Sequence, residues 1–305
     1  MSFYRDTHDK AALEAWNERV LAPYETIRVT PIAPALGAEI DGVDLTKEIP
    51  PEQLSEIRRA SAERLVLVFR NQRLGADDQK RFARHFGRLH QHALAASSLI
   101  AGASRDPEVL AWKTGRESRY TAGDAWHHDV SCDEEPIRAS FLYVEKTPEV
   151  GGGDTLFVNN YLAYESLSAP LRTFVDGLTA VHDGANAWTA GYGAKPQPGR
   201  NFPAAEHPIA PVHPATGRRF LFVNSTFTTH IPQLTRWESD ALLELLVRHV
   251  ERNVAFQARV AWTANTLTFW DNWAVQHHAV WDYYPFERWG ARVSAYDGAP
   301  KAALQ

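Results

Sequence analysis

The stretch Trp126-His127-His128-Asp129-Val130 places an imidazole and a carboxylate two residues apart. On an extended strand, residues i and i+2 project from the same face, so His127 and Asp129 could offer adjacent ligands to one metal ion. We therefore expect this segment to be a strand. Because a His-x-Asp pair is also common by chance on protein surfaces, its interpretation as a metal site requires a third ligand from elsewhere.

A third ligand is available late in the chain, in the pair His277-His278. Two histidines and one carboxylate, with coordination positions left open, are the donor set of non-haem Fe(II) oxygenases. Closure of a barrel or jelly roll would bring residue 277 beside residue 129. The pattern predicts a metal site of His127, Asp129 and His277. His128 and His278 should face the opposite way and have structural roles.

Two arginines, Arg288 and Arg292, lie four residues apart near the end of the chain. On a strand they would project from the same side, and the planar guanidinium suits bidentate binding of a carboxylate. Thr155, which follows a glycine turn, could donate its hydroxyl to the same carboxylate. The ordinary alternatives are surface arginines paired with Glu287 and Asp297, and a threonine that ends a turn.

Composition limits the class of protein. The 305 residues are 44% hydrophobic and 23% charged, as in ordinary soluble proteins, and the net charge of −5 gives no reason to expect nucleic acid or an anionic membrane as a partner. Cys132 is the only cysteine, which excludes an internal disulfide and favours a reducing compartment. No segment has the roughly 18 apolar residues of a membrane span. We expect a soluble cytoplasmic protein.

Periodicity predicts a chain of strands with flanking helices. Helices are predicted over 7–21, 51–65, 77–86, 161–167, 170–178 and, after a capping box at Thr235 and Glu238, up to 250. Strands are predicted within 27–46 and over 66–69, 108–112, 138–145, 156–159, 256–262, 266–270 and 289–296, with a hairpin over 209–224. The aperiodic span 184–207 predicts one long loop, which in a compact chain is usually a lid, a binding loop or a disordered segment.

These segments resemble the taurine dioxygenase (TauD/TfdA) family of Fe(II)- and 2-oxoglutarate-dependent oxygenases, from about residue 27 to residue 296. In order, they are GAEIDGVDLT from residue 37, LVLVFRNQ, FARHFGRLH, WHHDVS, GGGDTLFVNNYLAYESLS, HPATGRRFLFVN and WDNWAVQHHAVWDYYPFERWGARV. The resemblance implies a mainly β fold with flanking helices, a double-stranded β-helix of the jelly-roll, cupin-like type. Residues 27–305 would form one catalytic domain, and residues 1–26 a helical extension that packs on the body or on a second subunit of a homo-oligomer.

The resemblance also implies a role for each candidate side chain. The implied ligands of Fe(II) are His127, Asp129 and His277, and the implied partners of the distal carboxylate of 2-oxoglutarate are Thr155 and Arg288. Arg292 would lie beside the cosubstrate or bind the anionic head of the substrate, which His92 and the Val130 amide would also hold. Phe227 matches an aromatic residue that lines the pocket, and Cys132 could line it too, although a buried small apolar role is the default for a free cysteine.

The implied reaction uses O2 and 2-oxoglutarate to hydroxylate a small organic anion and forms succinate and CO2. The substrate would be a sulfonate, a sulfate ester or a carboxylate. Small residues at Ala95, Gly123, Cys132 and Gly184 stand where the taurine enzymes have larger ones, which favours an anion bulkier than taurine. The alternatives are a biosynthetic oxygenase acting on an amino-acid-like or aryl-carboxylate substrate, and a non-catalytic protein that binds small anions on the same scaffold.

Overall fold

The computed structural model describes residues 7–92, 104–119, 121, 123–192 and 202–301. The strands are β1 Arg28–Pro31, β2 Ala38–Asp41, β3 Val66–Phe69, β4 Arg88–Leu89, β5 Leu110–Thr114, β6 Ala139–Lys146, β7 Thr155–Asn159, β8 Thr179–Asp183, β9 Ala204–Pro208, β10 Thr228–His230, β11 Gln257–Val260, β12 Thr266–Asp271, β13 Val275–Ala279 and β14 Arg288–Tyr296. The helices are α1 Thr7–Asn17, α2 Pro51–Arg64, α3 Ala76–Arg84, α4 Asn160–Glu165, α5 Ala169–Val175, α6 Gly184–Tyr192 and α7 Arg236–Arg252, and a short 3-10 helix spans Val254–Phe256.

Within the described residues the strands form three sheets. The large sheet has the order β1-β2-β3-β12-β6-β14-β4, with β5 also paired to β14, and the two smaller sheets have the orders β11-β7-β13 and β10-β8-β9. The chain passes from β12 in the large sheet to β13 in a smaller sheet through a turn at 272–274. Consecutive strands that lie in different facing sheets are typical of a jelly roll, so the predicted fold class is confirmed.

The apolar core lies on both faces of the large sheet. On the inner face, Phe157 of β7 meets Trp270 of β12 with ring centroids 5.6 Å apart, and the Trp270 ring lies 4.7 Å from that of His277. On the outer face, Phe82 of α3 packs edge-on against Phe141 of β6 at 5.4 Å. Helices α2 and α3 cover the outer face. His277 contacts Trp270 on the inner face, so it lies in the space between the sheets.

Helix α7 agrees closely with the prediction, whereas helix α1 ends four residues before its predicted end at residue 21. Helix α1 ends at Asn17 and packs on the body, where the buried Trp16 indole donates to the carbonyl of Pro34 at 3.1 Å. Helix α7 begins with the predicted capping box, in which Thr235 and Glu238 each accept from the backbone N–H of the other. No helix in the described part of the chain has the length and apolar character needed to cross a bilayer.

The prediction of one long loop over 184–207 is wrong. Residues 184–192 form α6, and 204–208 form β9, which pairs antiparallel with β8; residues 193–201 lie outside the described part. Asp183 caps the start of α6, because its Oδ1 accepts from the N–H of Ala185 at 2.7 Å. Local sequence gives little sign of this helix, since it is short and half-buried rather than amphipathic.

Residues 209–224 fold back on themselves as a hairpin would, but they do not form two paired strands. Its turn forms at Gly217, whose φ is 67°, and the N–H of Phe222 reaches the carbonyl of Ile209 at 2.8 Å. Only one isolated bridge, Val212 to Arg219, has strand character. Two prolines within 209–214 lack the N–H that a continuous ladder requires, so the prediction of two strands is wrong.

Candidate active site

His127 and His277 are held together by their own backbones. Each donates its N–H to the carbonyl of the other, with N–O distances of 3.1 Å and 3.0 Å, in an isolated antiparallel bridge at β13. Their ring centroids lie 4.1 Å apart. The bridge therefore places a side chain from residue 127 directly beside one from residue 277.

Asp129 completes a compact group of three. One carboxylate oxygen lies 3.7 Å from Nε2 of His127, and the other lies 3.8 Å from Nε2 of His277. The three ligand atoms all fall within 4.8 Å of one another, and the three residues are buried. Among the described residues this is the one group of His, Cys, Asp or Glu with such geometry, which makes it the candidate metal centre.

The segment that carries Asp129 is not the strand that the sequence predicts. Only His127 forms a bridge, and residues 129–132 form a turn. Val130 has a φ of 42°, in the left-handed region that a β-branched residue rarely adopts. His127 and Asp129 face the same point because the chain turns there, and not because of the pleat of a strand.

The protonation states suit a cation. Burial alone would raise the pKa of Asp129, but the guanidinium of Arg292 holds that pKa well below its ordinary value. Burial, together with the neighbouring His127, lowers the pKa of His277 well below its ordinary value. His127 places Nδ1 2.8 Å from the carbonyl of Ala125, and donation there leaves the Nε2 lone pair for a ligand bond. An ionised carboxylate and imidazole nitrogens with a free lone pair are the forms that bind metals, and this donor set fits Fe(II).

Arg288 lies in an aromatic enclosure near Thr155. The side chain is buried, with the rings of Trp112 and Trp262 at 4.7 Å and 5.4 Å from the guanidinium carbon. Its Nε and Nη2 have no hydrogen-bond partner among the described residues. The Trp262 indole donates to Oγ1 of Thr155 at 3.1 Å, so the hydroxyl proton of Thr155 is free to point elsewhere. Gly153 permits this close packing, since a Cβ there would lie 2.8 Å from Cδ of Arg288.

The alternative that Arg288 is a surface arginine paired with Glu287 is wrong. Its neighbour in sequence, Glu287, instead bonds to Lys113 at 2.7 Å and Lys146 at 2.9 Å. A buried guanidinium with unused donors is costly unless an anion binds to it. The enclosure therefore fits the carboxylate of a small molecule, as the resemblance implies for 2-oxoglutarate.

Arg292 has a different partner. Its Nη1 pairs with Oδ1 of Asp129, whereas Asp297, the alternative partner, pairs with Arg138 at 2.6 Å. His92 is buried, its Nε2 has no hydrogen-bond partner among the described residues, and burial together with Arg292 lowers its pKa to about 2. The ring of His90 packs against that of His92 with centroids 4.3 Å apart, in agreement with a packing role for His90.

Comparison with known proteins identifies the family. A family model described as "Taurine catabolism dioxygenase TauD, TfdA family" matches residues 28–294. The chain belongs to this family. An alpha-ketoglutarate-dependent sulfonate dioxygenase of Saccharomyces cerevisiae is 32% identical over 322 residues, which cover 99% of this chain and 75% of that protein. An alpha-ketoglutarate-dependent sulfate ester dioxygenase of Pseudomonas putida is 32% identical, with 89% of this chain and 90% of that protein covered.

A solved structure agrees with these relatives. A taurine dioxygenase from Burkholderia xenovorans matches with a TM-score of 0.76 at 35% identity, and the match covers 92% of each chain. Membership of the TauD, TfdA family confirms the predicted enzyme class, a 2-oxoglutarate-dependent non-haem iron dioxygenase, and the predicted family cofactors Fe(II), 2-oxoglutarate and O2. The roles of individual side chains stay predictions.

The remaining predicted pocket residues lie on segments next to the triad. Phe227 is half-buried; its N–H donates to Asn224 and its carbonyl accepts from the N–H of Asp183 at 2.8 Å, which ties it to the start of α6. Cys132 is buried, and burial raises the pKa of its thiol to about 12, so the thiol is unreactive. Ala95 lies outside the described residues.

Two of the small residues have conformational or packing reasons to be small. Gly123 has a φ of 83°, which favours glycine, and a Cβ there would lie 3.1 Å from Cε1 of His127. A Cβ at Gly184 would lie 3.3 Å from the sulfur of Cys132 and from Cβ of Phe202. The space beside Gly184 is therefore already filled, and these two glycines do not support the expectation of a bulkier substrate.

Sequence reasoning missed three side chains that hold the TauD-family site. Ser140 donates to Oδ2 of Asp129 at 2.7 Å, Asn272 bonds to the Asp129 backbone, and Trp262 orients Thr155. Asn272 could have been suspected, because a buried-strand pattern ends just before it and His277 follows five residues later. Nothing local distinguishes Ser140 from other serines. His128 is fully buried beside Asn160, as its predicted structural role requires.

Proposed function

We propose that this chain hydroxylates a small organic anion that bears a sulfonate, a sulfate ester or a carboxylate, at a site built from His127, Asp129 and His277. Fe(II) with 2-oxoglutarate bound supplies the oxidation of a substrate C–H bond by O2, coupled to conversion of 2-oxoglutarate to succinate and CO2. The sulfonate and sulfate ester dioxygenases among the relatives support this choice of anions.

The observation that carries the proposal is the enclosure of Arg288. Among the described residues, Nε and Nη2 of this buried arginine lack hydrogen-bond partners, and Trp262 lies beside both the guanidinium and the hydroxyl of Thr155, so the site suits a carboxylate from outside the chain. We assign this pair to the distal carboxylate of 2-oxoglutarate. A protein that bound only one small anion would have no need of a second anion subsite and a three-ligand metal centre between the same sheets.

The substrate's own anionic group would bind at Arg292, His92 and the N–H of Val130. Arg292 is bonded to Asp129 through Nη1, and its Nε is buried without a partner in the described part of the chain. One arginine can therefore hold the substrate anion next to a metal ligand, which positions the neighbouring substrate carbon for reaction. Phe227 and Cys132 would line the apolar side of the pocket.

The test is turnover with a panel of anions. The purified protein, with Fe(II), 2-oxoglutarate and O2, is given taurine, longer alkyl sulfonates, alkyl sulfates and aryloxyacetates, and succinate is measured. Hydroxylation of the carbon that bears sulfur or ester oxygen would release an aldehyde with sulfite or sulfate, which distinguishes the anion classes. The His277→Ala variant is the matched control and should form no substrate-dependent succinate.

The alternative of a non-catalytic binding protein predicts a different result. It requires that anions of the panel bind, as calorimetry would measure. None of them should increase succinate formation above that of His277→Ala. Turnover of aryloxyacetates alone would instead favour the aryl-carboxylate alternative within the same chemistry.

We also propose a cytoplasmic homo-oligomer in which residues 27–305 form one catalytic domain. The single cysteine supports a reducing compartment. Trp16 of the N-terminal extension is buried against the body, and its neighbour Arg19 stacks on it at 3.3 Å. Size-exclusion chromatography with light scattering tests the oligomeric state, and a monomer at all concentrations would contradict it.

A further inference from the structure

The triad combines two kinds of ligand support. His127 and His277 fix each other through a pair of backbone hydrogen bonds. Asp129 lies in a turn, outside any strand, where its neighbour Val130 has a left-handed φ of 42°. A turn without ladder partners is a poor support for a metal ligand unless other groups bind its backbone.

The side-chain amide of Asn272 supplies that support. Its Oδ1 accepts from the N–H of Asp129 at 2.8 Å, and its Nδ2 donates to the carbonyl of Asp129 at 3.0 Å. The same Nδ2 donates to the carbonyl of Ile137 at 2.8 Å, and the residue is fully buried. A primary amide has an acceptor and two donors, so one side chain here replaces the backbone of a neighbouring strand.

Asn272 also connects Asp129 to the strand that carries His277. It begins the turn at 272–274 between β12 and β13, and its own N–H donates to the carbonyl of Arg138 at 2.6 Å. The next residue, Trp273, donates from its indole to the carbonyl of Pro136 at 3.2 Å. The turn that leads directly into His277 is thus bonded to the segment that leads away from Asp129.

The carboxylate of Asp129 is oriented separately from its backbone. Ser140 of β6 donates to Oδ2 at 2.7 Å, and Arg292 pairs with Oδ1. With the backbone held by Asn272 and one oxygen held by Ser140, the direction of the carboxylate is fixed.

We propose that Asn272 is a positioning residue for the metal centre: its amide holds Asp129 in register with His277, and Ser140 sets the rotation of the carboxylate. This inference rests on the proposed function, because it takes His127, Asp129 and His277 as the ligands. Groups that orient metal ligands typically contribute about 10–100-fold to metal affinity.

The test measures metal binding directly, without turnover. Wild type and Asn272→Asp are titrated with Mn(II), which electron paramagnetic resonance detects, and with Co(II), which visible absorption detects. Asn272→Asp keeps the size and the acceptor but loses the donor to Asp129, so we expect Mn(II) to bind roughly 10–100-fold more weakly and the Co(II) spectrum to change. Ser140→Ala, a smaller change, should weaken binding less.

Asn159→Asp is the matched control. Asn159 is equally buried, and within the described part of the chain its side chain also bonds only to backbone groups, at Ala35, Tyr161 and Leu162. None of these three carries a ligand, although the backbone of Asn159 pairs with Val275 of β13. It should lower thermal stability without changing Mn(II) affinity. Equal loss of affinity in Asn159→Asp and Asn272→Asp would reduce Asn272 to a general structural role and overturn the inference.

The outcomes separate the two proposals. Wild type that fails to bind Mn(II) or Co(II) would contradict the proposed metal centre itself. Wild type that binds, with Asn272→Asp and Ser140→Ala binding equally well, would contradict only the positioning role. Where Asn272→Asp does not fold, Ser140→Ala tests the inference, because wild-type affinity and an unchanged Co(II) spectrum in that variant would contradict the proposed role of Ser140 in setting the rotation of the carboxylate and so overturn the inference as stated.

Discussion

Arg288 and Arg292 lie on one strand, four residues apart, and have opposite electrostatic situations. Arg288 is enclosed by two tryptophans, with its Nε and Nη2 unpartnered in the described part of the chain. Arg292 is already paired with Asp129, a proposed metal ligand. The difference indicates that the first arginine is a preformed receptor for an external carboxylate. The second arginine would hold a bound anion beside the metal centre, because it already pairs with Asp129.

The largest effect should come from Arg288→Met. Truncating one partner of a buried charge pair costs about 2–5 kcal/mol, so the Kd for 2-oxoglutarate should rise roughly 30-fold to 3,000-fold. The free energy of unfolding should not fall, because the variant removes a buried cation that has no carboxylate partner among the residues the structure describes. Calorimetric titration with Mn(II) present, and urea unfolding, measure the two quantities.

A matched control for this variant is Arg236→Met, which removes an exposed arginine of α7 that pairs with Asp240. Its affinity for 2-oxoglutarate should equal that of wild type. If Arg288→Met kept its affinity for 2-oxoglutarate but lost turnover of the organic substrate, the assigned roles of Arg288 and Arg292 would have to be exchanged.

A smaller and different effect is expected for Arg292→Gln. Hydrogen bonds to charged groups contribute about 1.5–3 kcal/mol, so KM for the organic substrate should rise roughly tenfold to a hundredfold. The KM for 2-oxoglutarate should change much less. Steady-state kinetics with each substrate varied in turn measures both values, and an equal rise in the two would contradict separate anion subsites.

Thr155→Val should have a smaller effect still. The variant keeps the shape of the side chain but removes the hydroxyl that we assign to the carboxylate of 2-oxoglutarate, so its Kd should rise about tenfold. Trp262→Phe keeps an aromatic ring beside Arg288 but removes the indole N–H that orients Thr155, together with part of the ring surface. It should weaken binding less than Thr155→Val, and a stronger effect would mean that stacking on Arg288 matters more than the hydroxyl.

The grouping of His127, Asp129 and His277 could be predicted from sequence, because residue type and spacing carry its chemistry. The role of Arg288 stays a prediction. His-x-Asp, a distant histidine and a late arginine are recognisable without coordinates. The buried strand β3 is an apolar run of ordinary length, and it too was predicted. In each of these cases the type of the residue and its immediate neighbours already point to the chemistry.

The turn at Asp129 and the partner of Arg292 could not be predicted in this way. The backbone of Asp129 is held by Asn272, 143 residues later, and Arg292 pairs with Asp129 across 163 residues. Helix α6 depends on its contact with the segment at Phe227, where Asn186 donates to the carbonyl of Thr226 at 2.7 Å. Such features are set by tertiary contacts, which local propensity does not report.

The smallest expected effect concerns His92, beside Arg292. Burial and the positive charge of Arg292 lower the pKa of His92 to about 2, against about 6.5 for the unfolded chain. Below pH 6.5 the His92 imidazole is protonated in the unfolded state and stays neutral in the folded state. The free energy of unfolding is therefore unaffected by this difference above pH 6.5, and it falls as the pH falls below 6.5. Between pH 7.5 and pH 5.5, wild type should therefore lose about 1 kcal/mol more in free energy of unfolding than His92→Gln. Urea unfolding at the two pH values measures the difference.

Other buried histidines, such as His182 with a pKa lowered to about 3, are common to both proteins. Equal losses would mean that His92 is protonated in the folded protein, and Arg292 would then share its subsite with a second cation.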